Sequence, residues 1–407
     1  MKTETLNTSH ELEFRGVRVI AALNGLELFG HERGNIEAFK ALRSMGAVVR
    51  IGVNERDDGG EVGQHLRDLG FEVFSIPFGP QWSWQWLKKL GPKFAIDQFQ
   101  LVMKSSRIFT KEIKAFHPTH IHIGSTLVYS FLCLALRKCS VPVIWRMGDC
   151  PPTDSRFNYG IWKLGMRRIQ RVVAISHFVE TSAITCGVSS EKISQIYNLA
   201  PSTELSVSTG TPPIDSDASS YTSILYVGAI SHQKGLSYLI KAFGSLVKEN
   251  PNLRLWILGG SQWDSDFHRV LNEEIVRLEI EQFVHFKGYV LDTSPWYSSV
   301  ALHIAPSICN EALGNVVMEA KRAGTPSIVF PSGGLPEMIR HRIDGYVCED
   351  KTADNLAAAV RWMLSDRDRL NVMGVNACED SEPRFGPDRF SREWAAVYRN
   401  TTTLKQK

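Results

Sequence analysis

No C-x-x-C pair and no histidines at zinc-finger spacing occur in these 407 residues; Cys133, Cys139, Cys150, Cys186, Cys309, Cys348 and Cys378 stand scattered. The scatter excludes a disulfide framework and a structural zinc, and reads as reduced thiols in a cytoplasmic protein. Long hydrophobic runs are missing too: the longest nearly uncharged stretch, Ile123 to Leu136, falls short of the roughly 20 residues that cross a bilayer. Met1 to Glu13 is polar without the apolar centre of a secretory leader, so no export signal is expected. Nor does one sign of charge dominate. Lys and Arg number 46 against 43 Asp and Glu, a formal +3, which argues against polyanion binding by the chain as a whole. What is present is apolar material: 43% hydrophobic and 10% aromatic residues exclude global disorder and supply the cores of two or three domains.

Short apolar runs alternate with helical patterns along the first half. Arg18–Asn24, Ala47–Val53, Phe71–Phe78, His120–Ile123, Val141–Arg146, Arg171–Ser176 and Ile193–Asn198 read as strands, and Asn35–Met45 as a helix between them. Such alternation predicts a parallel, doubly wound α/β sheet. Residues 201–221 are rich in Ser, Thr, Pro, Asp and Gly, which cannot pack a core and marks a linker. Beyond it the pattern restarts with Ile224–Val227, Arg254–Leu258, Val284–Phe286, Leu302–Ala305, Ser327–Phe330 and Gly345–Val347 as strands. In the helix Leu236–Glu249 the residues Leu236, Leu239, Ile240, Phe243, Leu246 and Val247 form one apolar face. The expected domains are 1–200 and 222–385, with 386–407 a C-terminal helix that can pack against either domain, including back on the first; its stripe is Phe390, Trp394, Val397 and Tyr398. Ligands of open α/β sheets bind at the carboxyl ends of the strands, so two such domains in tandem predict a cleft.

The densest chemistry lies in the stretch from Pro306 to Ala320. It follows a strand and opens a helix near Asn315, with Glu311 in the loop and Glu319 about a turn into the helix. Backbone N–H groups at the helix start can hold a diphosphate, and Gly314 permits close approach. Carboxylates beside a phosphate would repel it, so these two suit hydroxyls, or else they are simply solvated. Asp-x-Asp triplets at Asp215/Asp217, Asp264/Asp266 and Asp366/Asp368 sit where solvation or helix capping explains them better than a metal ion.

Six landmarks in order decide between these alternatives. They are Leu225-Tyr226-Val227-Gly228 with Gln233-Lys234-Gly235, then Leu258-Gly259-Gly260, Val284-His285-Phe286-Lys287-Gly288, Pro306-Ser307, the Glu311/Glu319 pair, and Gly333-Gly334-Leu335-Pro336-Glu337. From Ile224 to about Leu364 the chain resembles the donor-binding domain of family 4 glycosyltransferases. These are retaining enzymes of the GT-B fold, two Rossmann-like α/β domains facing each other across a cleft. The resemblance implies that Lys234 contacts the diphosphate of a nucleotide sugar, where a cation stabilises charge on the leaving group. It implies Glu319 on the ribose, Glu311 on a hydroxyl of the donor sugar, Leu313, Gly314 and Asn315 as backbone donors, and Gly288, Tyr289 and Val290 at the base. One departure stands out: many members carry an arginine where this chain has Ala229.

Thinner likeness covers the first domain. Gly30-His31-Glu32-Arg33 is similar to the family's Gly-Gly-x-Glu-Arg loop, with Phe29 for the first glycine, and would bring Gly30 to the donor phosphates; an ordinary strand–helix turn fits nearly as well. Pro118–His122 is similar to a strand that carries a family histidine, which makes His122 an acceptor-side candidate, although a lone histidine near a strand end is more often packed or solvated. Where the family often has His-Asp, this chain has Gly148-Asp149, leaving Asp149 as the other acceptor-side candidate or a capping residue. Two basic runs stand out, Trp82–Lys114 with seven basic and two acidic residues and Arg137–Arg171 with eight and two. The first begins with Trp82, Trp84 and Trp86 beside Lys88 and Lys89, which suits an anionic membrane surface or an ordinary amphipathic helix.

The expectation is therefore a metal-independent glycosyltransferase with a nucleoside diphosphate sugar as co-substrate and no cofactor, placed in the cytoplasm or peripherally on the inner face of the membrane. Its acceptor would be a lipid-linked saccharide in polysaccharide or glycolipid assembly, and nucleic acid is not a partner. A catalytically idle nucleotide-sugar-binding subunit is the alternative. A nicotinamide dehydrogenase ranks last, because no G-x-G-x-x-G follows the first strand of either domain.

Overall fold

The computed structural model describes residues 14–80, 84–200, 221–260 and 264–403. The linker at 201–220 and Trp82 lie outside them, as do the side chains of Trp84 and Trp86. Two units partition the chain: 1–199 with 388–407, and 200–387.

In the first unit β1 (Arg18–Ala22), β2 (Val48–Asn54), β3 (Glu72–Ile76), β4 (His120–Ile123), β5 (Val143–Met147), β6 (Arg171–Ala174) and β7 (Ile193–Gln195) form a single sheet. Their order is β3-β2-β1-β4-β5-β6-β7, and every pairing is parallel. β4 and β5 are buried at every position, as strands covered on both faces must be. The connecting helices are α1 (Gly30–Ser44), α2 (Gly60–Asp68), α3 (Trp84–Phe116), α4 (Thr126–Lys138), α5 (Arg156–Met166) and α6 (His177–Thr185). α3 breaks at Gly91, whose φ of 71° and the following Pro92 interrupt the helical ladder. Ser125, Ser155 and Ser176 start α4, α5 and α6 by accepting the backbone N–H three residues on.

The second unit repeats the plan with β8 (Thr222–Val227), β9 (Leu253–Leu258), β10 (Val284–Gly288), β11 (Leu302–Ala305), β12 (Ser327–Val329) and β13 (Gly345–Val347), ordered β10-β9-β8-β11-β12-β13 and again parallel. Its helices are α7 (Leu236–Glu249), α8 (Ser265–Arg277), α9 (Ser294–Tyr297), α10 (Asn315–Arg322), α11 (Ala353–Leu364) and α12 (Arg367–Phe385). Leu236, Leu239, Ile240, Phe243, Leu246 and Val247 of α7 are all buried in the core with Ile224, Leu255 and Ile304. Asp264 and Asp366 cap α8 and α12.

The last helix, α13 (Pro387–Thr403), belongs to the first unit, where Phe390, Trp394, Val397 and Tyr398 pack with Ala21, Phe39, Ile144 and Ile196. Arg389 fixes its start by donating to the carbonyls of Tyr197 and Asn198 at 3.0 and 3.3 Å.

In each sheet the strand order reverses once, between β1 and β4 and between β8 and β11. At such a switch point the loops on either side diverge and leave a crevice at the carboxyl ends of the strands. The loops that leave β8 and β11 carry Lys234 and Glu311.

Candidate active site

Lys234 ends a short 3-10 turn, His232–Lys234, between β8 and α7. Gly235 follows with φ 74°, and a Cβ there would lie 1.8 Å from the Pro306 carbonyl oxygen. Only glycine lets the two loops touch. The contact is fastened by the backbone N–H groups of Ile308 and Cys309, which donate to the Gln233 carbonyl at 3.0 and 3.3 Å. Lys234 Nζ consequently meets Glu311 Oε1 at 2.5 Å.

Glu311 is held from several sides. Ser307 Oγ donates to Oε1 at 2.7 Å, and the Cys309 thiol lies 3.8 Å from the same oxygen. Burial first, then the Glu311 charge, raises the Cys309 thiol above its ordinary value. Buried Ser332 donates to the Ser307 carbonyl and sets that turn. The glycines of the Gly-Gly-Leu-Pro-Glu landmark have a steric cause: a Cβ on Gly333, at φ 57°, would lie 2.1 Å from the Glu311 carbonyl oxygen. Gly334 N then donates to that oxygen at 2.7 Å.

α10 begins at Asn315 with Gly314 as its cap, at φ 118° and without a side-chain capping bond. Its first N–H groups point into the loop region with the positive end of the helix dipole. Leu313 is buried, while Gly314 and Asn315 are partly exposed. Glu319 is half-buried, and its Oε2 accepts from Thr293 Oγ1 at 3.3 Å and from Tyr297 Oη at 3.2 Å. Burial, the Glu319 charge and that hydrogen bond hold the Tyr297 phenol well above its usual range, so it stays a donor. At the end of β10, Gly288 turns with φ 69°, Tyr289 is exposed, and Val290 packs against Leu258 and Trp296. Ala229 uses its carbonyl to accept from Tyr226 Oη at 2.8 Å. Lys234 and Glu311 are brought into direct contact; Thr293 and Tyr297 are partners that sequence reasoning missed, and Ser307, noted only as a landmark, was not foreseen as a partner of Glu311. Their signal was absent because hydroxyls at distances of 4, 26 and 22 residues carry no spacing rule.

In the first unit Gly30 opens α1 as its first helical residue after Phe29. Asp149 is exposed in the bend after β5 and caps no helix, since Ser155 starts α5. His122 requires correction as an acceptor candidate. It is fully buried, its Nδ1 bonded to Tyr398 Oη at 2.9 Å and its Nε2 to Asn35 Oδ1 at 3.1 Å. Phe39 and Trp394 flank the ring. Burial, with Arg146 and His31 nearby, lowers it to about 3. His122 is a neutral core residue because β4 is central in its sheet and α13 covers it. Arg146, also fully buried, donates to Asn198 Oδ1 at 2.6 Å and is lowered to about 10 by burial, against the Asp149 and Glu32 charges that raise it. Among the described residues no group of three His, Cys, Asp or Glu side chains could hold a metal ion. No described helix is long and apolar enough to cross a membrane.

Two parallel sheets, each reversing its strand order once, define a tandem α/β architecture, and comparison with known proteins identifies the family. A family model described as glycosyl transferases group 1 matches residues 216–380, and one described as glycosyl transferase 4-like domain matches residues 30–198. The chain belongs to the glycosyltransferases of the GT-B fold, of the family 4 type. An uncharacterized glycosyltransferase of Methanocaldococcus jannaschii is 34% identical over 178 residues, 43% of this chain and 44% of that protein. A D-inositol 3-phosphate glycosyltransferase of Corynebacterium glutamicum is 32% identical over 191 residues, 44% and 42% of the two chains. These matches thus span less than half the length of the curated relatives. Among solved structures, Anabaena HepE with UDP and glucose superposes with a TM-score of 0.74 at 19% identity, covering 96% of this chain and all of that one. Sucrose-phosphate synthase of Thermosynechococcus elongatus gives 0.75 at 18%, covering 95% and all. At such identities the likeness speaks for the fold.

Proposed function

We propose that this chain moves a sugar from a nucleoside diphosphate sugar to an acceptor hydroxyl with retention at the anomeric carbon. The observation that carries the reading is the Lys234–Glu311 pair at the β8/β11 switch point, 2.5 Å apart and partly exposed. Without a donor, the ammonium neutralises a carboxylate that would otherwise repel a diphosphate. On donor binding Lys234 turns to the phosphates, and Glu311 is released to accept from a sugar hydroxyl. As the bond from the anomeric carbon to the phosphate oxygen breaks, negative charge grows on the diphosphate and Lys234 stabilises it.

The remaining donor contacts are Glu319 on the ribose hydroxyls, the backbone of Leu313, Gly314 and Asn315 on sugar and phosphate, and Gly288, Tyr289 and Val290 at the base. Uridine is the first base to try, because Anabaena HepE is described with UDP-glucose and TarM of S. aureus with UDP. No metal or further cofactor enters the proposed reaction. Asp149 is the first unit's candidate for the acceptor. We further propose an acceptor of lipid-linked saccharide in polysaccharide or glycolipid assembly, with the basic, tryptophan-led segment from Trp82 resting on anionic lipid at the inner face of the membrane.

Steady-state turnover tests this. Glu311→Ala and Lys234→Ala are each expected to lower kcat by about 10²–10³-fold, the scale for removing a group that meets developing charge. Full activity in either variant would contradict the role assigned to it.

A further inference from the structure

His31 fills space that two glycines leave open. It is the second residue of α1, and its ring reaches the carboxyl ends of β4 and β5. A Cβ on Gly148, the residue after β5, would lie 2.3 Å from His31 Nδ1 and 3.0 Å from Cε1. A Cβ on Gly124, the residue after β4, would lie 3.1 Å from Nε2. Neither glycine has φ in the left-handed region, so the backbone does not demand glycine at either place; at Gly148 the imidazole does, while at Gly124 a Cβ would be in tight contact with Asn35 Nδ2 at 3.0 Å as well as with the ring. β1, β4 and β5 are consecutive in the sheet, and the order reverses between β1 and β4. The ring is thus seated at the place where an open parallel sheet admits a ligand.

The helix turn beneath the ring is tied by hydrogen bonds. The His31 carbonyl accepts from Asn35 Nδ2 at 2.9 Å and from Arg146 Nη1 at 3.4 Å. Gly34 leaves room for that guanidinium, since a Cβ there would lie 2.1 Å from Arg146 Nη2. His31 Nδ1 is buried and has no hydrogen-bond partner, although the residue keeps part of its surface exposed. A buried polar nitrogen without a partner is unfavourable and marks a site that something else completes. Burial and the Arg146 charge lower the imidazole to about 4. The other titratable groups around it are Glu32 and Asp149, which act on Arg146, and neutral His122. A neutral imidazole offers one donor and one acceptor.

We propose that the His31 imidazole, seated in the notch formed by Gly124 and Gly148, hydrogen-bonds the attacking hydroxyl of the acceptor. This rests on the glycosyl-transfer function above and adds the group that orients the nucleophile. The ring comes from the helix after β1, and any side chain on Gly148 would displace it.

The test uses the full chain with UDP-glucose, taking water and a panel of methyl glycosides as acceptors, and UDP titrated separately by calorimetry. His31→Ala is expected to lower kcat tenfold or more for hydrolysis and transfer alike, with UDP affinity unchanged within twofold. His31→Gln, which keeps a hydrogen-bonding group, should recover part of the loss. Gly148→Ala should reproduce the His31→Ala defect by pushing the ring out. Turnover of His31→Ala within twofold of the parent would overturn the proposal. So would a parallel loss of UDP affinity, which would assign His31 to the donor. Failure of the parent protein to bind any of UDP, GDP or ADP would overturn glycosyl transfer itself, and this inference with it.

Discussion

Lys321 sits two residues beyond Glu319 on α10, and its ammonium is among the most buried charges of the second unit. Its side chain is 2% exposed and contacts Asp344 at 2.9 Å and Asp380 at 2.5 Å. Arg340 also meets Asp344 at 2.5 Å, and Arg384 meets Asp380 at 3.1 Å. Three cations therefore face two carboxylates, and the imbalance makes the two obvious deletions unequal. Lys321→Met leaves two cations on two carboxylates, each aspartate keeping an arginine, so the loss is about 2 kcal/mol, within the range for hydrogen bonds to charged groups. Asp344→Asn leaves a buried ammonium with one carboxylate among three cations, and about 3–5 kcal/mol is expected. At about 2–4 °C per kcal/mol for a unit of this size, that is a fall in Tm of roughly 6–20 °C. Thermal and urea unfolding of the two variants measure the ranking. An Asp344→Asn loss below about 1 kcal/mol, or a larger loss for Lys321→Met, would refute the charge argument. The cluster also sets an acid limit. Burial alone would raise Asp380, but the hydrogen bonds and charges of Lys321 and Arg384 pull its carboxyl below its ordinary 3.8. A carboxylate depressed in the folded state stabilises above its unfolded value, and that stability is lost as pH falls through the folded one. Unfolding followed from pH 6 downward should show a loss below about pH 4 that Asp380→Asn removes.

Tyr297→Phe takes away a hydroxyl that holds Glu319, and nucleotide affinity should fall about 2–10-fold, the equivalent of one hydrogen bond; unchanged affinity would separate Glu319 from the donor. Replacing Trp82, Trp84 and Trp86 with Ser should release the protein from anionic vesicles in co-sedimentation, and undiminished binding would end the membrane proposal.

The α/β character was legible because short strand-like runs alternate with helical patterns: His120–Ile123, Leu302–Ala305 and Gly345–Val347 match the structure to the residue. Strand ends were less so. Phe71, Pro77 and Phe78 extend the apolar run of β3, yet pairing with β2 stops at Ile76. His122 turned out to be packed, the commoner fate of a histidine near a strand end, and the sequence could not show what covers it, since its burial depends on a helix that begins 265 residues later in the chain. His31 went unnoticed for the converse reason. Its place is defined by glycines 93 and 117 positions away; Gly148 stood out as a departure from the family pattern, but only the fold shows that the His31 ring occupies the gap. By contrast the glycines at 235, 333 and 334 were visible as landmarks, because contacts between neighbouring loops recur as short motifs.

The central claim is that the loops after β8 and β11 hold a nucleoside diphosphate. Calorimetric titration of UDP, GDP and ADP into the parent protein and Lys234→Ala measures it directly. The account predicts saturable binding of at least one diphosphate, weakened tenfold or more in the variant; no binding by the parent, or equal affinity in both, would contradict it.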